Sequence, residues 1–200
     1  MKLIFLKVVS IATLALFIIS SGCSKNHRIF INPSILIHSS SIGNGLPVAV
    51  KVVDTRPSNI ISKLVGEFKI RKFTIISQGD LKNIFKTQTR LGLKKLGFTP
   101  KNFNLNSRRS LNVDILNIKS RYQEDSPKIN IRVKADIKAT CKNQKKKFSK
   151  IFTISKIRSG ISPASFPNDN FLNDCLSEVM GKILTNPYLI TCLTYQPTTN

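Results

Sequence analysis

Apolar residues recur along this chain with two periods, and each period predicts an element. Over Ile129–Cys141 (INIRVKADIKATC) the period is two. Ile129, Ile131, Val133, Ala135, Ile137, Ala139 and Cys141 share one face, while Asn130, Arg132, Lys134, Asp136, Lys138 and Thr140 share the other. A strand with one apolar and one polar face suits an antiparallel sheet covered by helices on one side. Leu111–Tyr122 alternates through Leu111, Val113 and Ile115, then changes phase at Leu116 and Ile118, which predicts a β-bulge there. Phe148–Ile157 reads as the strand returning from a turn at Lys142–Lys147. Leu46–Val53 (LPVAVKVV) is almost continuously apolar, the mark of a strand buried on both faces; Asp54–Pro57 closes it as a turn. Lys63–Ile76 predicts one or two short strands carrying a hairpin, after a polar connection at Ser58–Ser62. Ile29–Ile37 is β-rich but broken by Pro33, as in an edge strand or an extended arm, and Ser39–Gly45 is a loop.

The second period is helical. Leu81, Ile84, Phe85, Thr89, Leu93 and Leu96 form one stripe at spacings of three and four, with Ser77 and Asp80 to open the helix, Gly97 to stop it and Pro100 beyond. Gly92 inside it costs about 1 kcal/mol relative to Ala. Lys101–Ser110 is an Asn- and Arg-rich loop. Asn168 or Asp169 caps a second helix, whose stripe is Leu172, Cys175, Leu176, Val179, Met180 and Ile183, ending near Asn186 and Pro187. Tyr188–Tyr195 is a short apolar tail, open between helix and strand. Two amphipathic helices and a sheet with one apolar face predict an α+β fold: a two-layer sandwich, mainly antiparallel, with both helices on one face.

The first residues obey neither period. Lys2 and Lys7 precede an apolar run from Val8 to Ile19, followed by Ser20, Ser21, Gly22 and Cys23. A basic start, a short apolar run and a small-residue exit make an export signal; the run is shorter than the roughly 20 apolar residues of a spanning helix. The exit resembles a bacterial lipoprotein signal, in which a small pair precedes a cysteine that takes a diacylglycerol. That resemblance implies a signal peptide over 1–22, lipidation at Cys23, a lipidated tether over 23–28 and one α+β domain over 29–200. Each buried CH2 of an acyl chain contributes about 0.8 kcal/mol, so two or three chains hold firmly. In Gram-negative lipoproteins an Asp after the cysteine favours the inner membrane. Ser24 stands there, which by the same resemblance points to the outer membrane.

The formal net charge is +22, and about +20 remains once Lys2 and Lys7 leave with the signal. Such basicity calls for an anionic partner. The charge is spread along a chain also crowded with Ile and Asn, so part of it is compositional. Nucleic acid would want aromatics interleaved with the cations; the chain has no Trp, and export removes that partner. Anionic lipid or lipopolysaccharide head groups fit better. Past Cys23, an odd set of cysteines remains: Cys141, Cys175 and Cys192. An exported compartment permits disulfides; Cys175 and Cys192, which flank the last helical segment, are the better-placed pair, against all three being small buried apolar residues.

Chemistry-bearing patterns are few. His27 and His38 lie in the N-terminal arm, away from carboxylates, as solvated histidines do. No nucleophile elbow, zinc motif or phosphate-binding glycine loop occurs, so no catalytic residue, metal site or cofactor is expected. Asp54 and Arg56 at a strand end offer a partner contact, against a plain turn in which Asp54 bonds local backbone. Lys142, Lys145, Lys146 and Lys147 make the densest basic cluster. It reads either as a contact for an anionic surface or as a solvated turn.

Four segments in order resemble the YajG-type family of bacterial lipoproteins: the signal ending in Cys23, the strand LPVAVKVVDTRP, the helix end LKKLGF (Leu93 to Phe98), and the strand pair LNVDILNIKSRY and INIRVKADIKATC, with Lys134, Ala135, Asp136 and Ile137 as its KADI. The resemblance implies an envelope lipoprotein facing the periplasm, with no established activity. The expected function is therefore a non-enzymatic outer-membrane lipoprotein, membrane-tethered and presenting a binding or assembly module to anionic lipid, lipopolysaccharide or envelope proteins. Alternatives are an accessory lipoprotein of lipopolysaccharide or lipid transport, a hydrolase of envelope polymers, and a basic scavenger of anionic lipid or nucleic acid.

Overall fold

The apolar alternation organises a five-stranded sheet. The computed structural model describes residues 24–65, 72–125, 128–144, 146–160 and 169–196. Its elements are β1 (Ser24–Phe30), β2 (Pro47–Asp54), β3 (Ile60–Val65), β4 (Lys72–Gln78), α1 (Leu81–Lys95), β5 (Thr99–Asn102), β6 (Arg109–Asp125), β7 (Lys128–Asn143), β8 (Lys146–Gly160), α2 (Asp169–Leu184) and α3 (Pro187–Thr194). The larger sheet has the order β5-β2-β6-β7-β8 and the smaller one β1-β4-β3. Strands β6, β7 and β8 form an antiparallel meander. Its register breaks between Ile115 and Asn117, the bulge at Leu116 that the change of phase predicts. Strand β2 runs parallel to both β5 and β6, so the sheet is mixed. Parallel neighbours need a crossover, and β3, β4 and α1 supply it between β2 and β5.

One face of this sheet is covered. Val133, Ala135, Ile137, Ala139 and Cys141 of β7 are buried, as are Val48, Val50 and Val52 of β2. Helix α1 packs on β2 and β5, α2 on β8 and β7, and α3 on β7 and β8. The predicted helical stripes are the buried ones: Leu81, Phe85, Thr89 and Leu93 on α1, and Leu172, Cys175, Leu176, Val179, Met180 and Ile183 on α2. Asp80 caps α1 by accepting from Asn83 N at 3.1 Å, and Gly97 takes the left-handed conformation beyond it, at φ +81°.

The arm after β1 threads between α1 and α2. Ile31, Pro33 and Ile35 are buried and alternate with exposed residues. No strand among the described residues pairs with this segment, and side chains bond its backbone instead. Asn32 N donates to Asn173 Oδ1 and Ser34 N to Ser177 Oγ, each at 2.8 Å, while Asn173 Nδ2 reaches Phe30 O at 3.1 Å and Lys95 Nζ reaches Ile35 O at 2.9 Å.

Several boundaries differ from the sequence reading. Residues 24–28, expected as a tether, belong to β1, which pairs in parallel with β4 from Ser24↔Lys72 to Phe30↔Gln78; the polar side chains do not prevent a ladder made by backbone groups. The connection at Ser58–Ser62 already holds the start of β3, because Ile61 is buried. The loop Lys101–Ser110 is trimmed at both ends by β5 and β6. The tail is helix α3. Asn186 caps it by accepting from Leu189 N at 3.1 Å, with Pro187 at its first turn.

The expected Cys175–Cys192 bridge does not form. Cys192 is bonded to Cys141, with Cα atoms 6.3 Å apart, and Cys175 is a buried free thiol. Helix α3 folds back over β7 and carries Cys192 above the inner row that ends in Cys141. Cys175 instead sits under the far part of β8, near Lys156 and Arg158. Neighbourhood in sequence was the wrong guide; the cover over β7 decides the pair.

Gly92, which weakens α1 by propensity, is required by packing. A Cβ there would run into Leu184 Cδ1 of α2 and lie 3.3 Å from Ile35 Cγ2 of the arm. Two outcomes follow. The bridge closes a separation of 51 residues, so Cys192→Ala lowers the unfolding free energy by about 2–5 kcal/mol in denaturant melts; reductant does the same to wild type and nothing further to the variant. Gly92→Ala destabilises by about 1–3 kcal/mol through overpacking. In a Leu184→Ala background that cost shrinks or reverses, as helix propensity then dominates.

Candidate functional site

The other face of the five-stranded sheet carries no helix among the described residues, and strand register decides what it presents. On β7 the outward side chains are Arg132, Lys134, Asp136, Lys138 and Lys142. Those opposite on β6 include Arg121, Lys119, Asn117 and Asp114, and those on β8 include Ile157, Thr153, Ile151 and Lys147. Lys51 of β2 adds a further cation, its ammonium 5.3 Å from the Phe103 ring centroid.

Three pairs on this face set like charges directly opposite each other: Lys119 with Lys134, Arg121 with Arg132, and Lys142 with Lys147. Such cross-strand pairs are unfavourable unless something negative lies over them. The described carboxylates of the face are Asp114 and Asp136, and both have local partners. Asn112 Nδ2 donates to Asp114 Oδ1 at 3.0 Å. Asp136 accepts from Thr153 Oγ1 at 2.7 Å and Asn117 Nδ2 at 3.1 Å, with Lys134 Nζ at 3.5 Å. Burial pushes the Asp136 carboxyl up, but the hydrogen bonds from Thr153 and Asn117 and the Lys134 charge together hold it below the usual carboxylate range. It stays ionised and neutralises little beyond Lys134. Between Arg121 and Arg132 lies a cleft of about 240 Å³, also lined by Gln123, Asn130 and Ile157. Ile151 and Ile157 are more than half exposed on the same face.

The residues singled out in the sequence fall in different places. Lys142 and Lys147 join the basic face. Lys146 turns the other way, its ammonium 5.2 Å from the Tyr195 ring centroid. Lys145 and Cys23 lie outside the described residues. Asp54 and Arg56 are bound to each other: Arg56 donates through Nε at 2.9 Å, Nη2 at 2.8 Å and its backbone N at 3.2 Å. Burial raises the Asp54 carboxyl, yet the Arg56 side-chain and backbone hydrogen bonds and its charge outweigh that and lower it. With the Arg56 side chain only 5% exposed, the pair closes the end of β2, as the turn reading has it. His27 is half-buried, 5.3 Å from the Phe73 ring, and His38 is exposed. Burial pushes the Cys175 thiol up, away from nucleophilic thiolate. No cluster of His, Cys, Asp or Glu able to hold a metal occurs among the described residues.

Lys119, Arg121, Arg132 and Lys134 were missed as a group. Alternation places Arg132 and Lys134 on the polar side of β7, but the register of β6, shifted by its bulge, brings Lys119 and Arg121 opposite them.

Among known structures, protein XCC0632 from Xanthomonas campestris is similar at a TM-score of 0.55 and 11% identity, covering 83% of this chain and 95% of that one. At that identity the likeness shows the fold alone. A minor lipoprotein from Acinetobacter baumannii matches at 8% identity over 72% of this chain and 94% of its own, with a TM-score of 0.41. A search of curated proteins returns no match. No helix among the described residues is long and apolar enough to cross a membrane. A family model described as uncharacterized lipoprotein matches residues 33–194. The chain therefore belongs to this family of uncharacterised lipoproteins, the YajG type that its strand and helix motifs resemble.

Proposed function

We propose that this lipoprotein is a non-enzymatic binding module, held at the outer membrane through acylated Cys23, whose open sheet face engages an anionic envelope surface from the periplasmic side. The observation that carries the reading is the set of like-charge pairs, Lys119–Lys134, Arg121–Arg132 and Lys142–Lys147. Phosphates of phospholipid or lipopolysaccharide lying across them relieve that repulsion, at about 1 kcal/mol per cation near the surface. Ile151 and Ile157 add exposed apolar contact on the edge strand. Asp136, bonded to Asn117 on β6 and to Thr153 on β8, ties the three strands together on this face, and Lys134 leans towards it.

Two measurements test this. In cells fed a labelled fatty acid, the wild-type chain takes up label, while Cys23→Ala takes up none and moves to the soluble fraction; an unlabelled wild type removes the anchor. In co-sedimentation with vesicles containing an anionic phospholipid, binding falls steeply as salt rises. The double variant Arg121→Glu, Arg132→Glu weakens it at least roughly tenfold, and binding indifferent to both counts against the reading.

A further inference from the structure

A cavity of about 430 Å³ opens at one corner of the large sheet, where β2, β5 and β6 begin and β7 ends. Lys101, Arg108 and Arg109 line it together with Asn102, Asn143 and Gln144, and no carboxylate does among the described residues. None of the three cations has an ion-pair partner among the described residues. Arg109 is the unusual one. Its Nη1 and Nη2 donate to the backbone carbonyls of Pro47 at 3.4 Å and Tyr195 at 3.1 Å, while Nε is buried without a hydrogen-bond partner. A guanidinium that has lost water without gaining a counter-charge is costly. Each Nη nitrogen carries a second N–H beyond the one given to a carbonyl, so a phosphate oxygen in the cavity can accept from it and supply the missing counter-charge.

The wall behind Arg109 is rigid for an identifiable reason. Asn143 is buried, and its Nδ2 donates to Cys192 O at 2.8 Å and Tyr195 O at 2.7 Å. Cys192 is itself bonded to Cys141 on β7. The end of α3 is thus pinned to β7 by a disulfide and two hydrogen bonds, and the carbonyl that orients Arg109 belongs to the pinned segment. The size also discriminates. The cavity exceeds a bare phosphate and falls in the range of small-ligand sites, and the amides of Asn102 and Gln144 beside the cations suit hydroxyl groups.

We infer that this corner cavity is a binding site for a phosphate group carried on a small hydroxyl-rich body, such as a sugar or glycerol. Arg109, Arg108 and Lys101 take the phosphate, and the amide side chains take the hydroxyls. The inference goes beyond the open-face reading and does not rest on it, since the cavity cations that carry it belong to none of the like-charge pairs.

The test is calorimetric titration of the full-length chain in neutral detergent with glucose 1-phosphate, with glucose as the control sugar. Wild type binds glucose 1-phosphate saturably and glucose not at all. Arg109→Gln loses the binding. Because a half-buried arginine also supports the fold, Lys101→Gln and Arg108→Gln are measured as well; both side chains are exposed, and each weakens binding about tenfold with an unchanged melting temperature. Lys134→Gln on the open face leaves it intact. Competition by a short-chain phosphatidylglycerol identifies a lipid head group as the source, and its failure to compete identifies a soluble phosphate ester; either agrees with the assignment. No saturable binding by wild type, or equal loss in Lys134→Gln and the cavity variants, overturns it.

Discussion

Everything in this molecule follows from the one-sidedness of strand β7. Its inner row runs Ile131, Val133, Ala135, Ile137, Ala139 and Cys141, none more than 7% exposed. Its outer row is charged or polar. A strand of this kind can be covered on one side only, so α2 and α3 must share the same layer, and α1 continues it over β2 and β5. The layer is closed by unlike devices. The arm at Ile31–Ile35 fills the groove between α1 and α2, Gly92 lets α1 approach Leu184, and the Cys141–Cys192 bridge pins α3. Burying a valine or isoleucine contributes about 1.5–3 kcal/mol, so the row dominates the choice of layer, and these devices settle how it packs.

The same constraint leaves the other face without a helix among the described residues, and there like charges meet across the strands. Repulsion between directly opposed cations is tolerated on a solvated sheet because water and salt screen it. It still biases the face towards any negatively charged surface. The helical side sets a carboxylate among its cations. Glu178 there binds both Lys182 and Lys156, an exposed network that holds two cations in place.

What the sequence revealed follows from the range of each interaction. Local periodicity placed the edges of α1 and the stripe of α2, and the loss of phase at Leu116 located the bulge, since all three are patterns within one element. The parallel pairing of β2 was hidden, because only the crossover through β3, β4 and α1 produces it. So was the Cys141–Cys192 bridge, which depends on α3 folding back over β7. The opposed cations are of the same type: Arg121 and Arg132 are polar residues on separate strands until register joins them. Arg109 was hidden in a stretch that reads as a loop, where nothing indicates that its Nε is buried. Asp54 and Arg56 went the other way. Two residues apart, they already suggested a self-contained turn, and the three hydrogen bonds from Arg56 make it one.

The claim that matters most is that the bare sheet face, and not the helical layer, meets the anionic surface. Lysine acetylation of the full-length chain, bound to anionic vesicles and then free, tests it residue by residue. The account predicts that Lys119, Lys134, Lys138 and Lys142 are shielded when bound, while Lys82, Lys94 and Lys182 on the exposed sides of the helices react as before. Shielding of the helical lysines with the sheet lysines left reactive would contradict it.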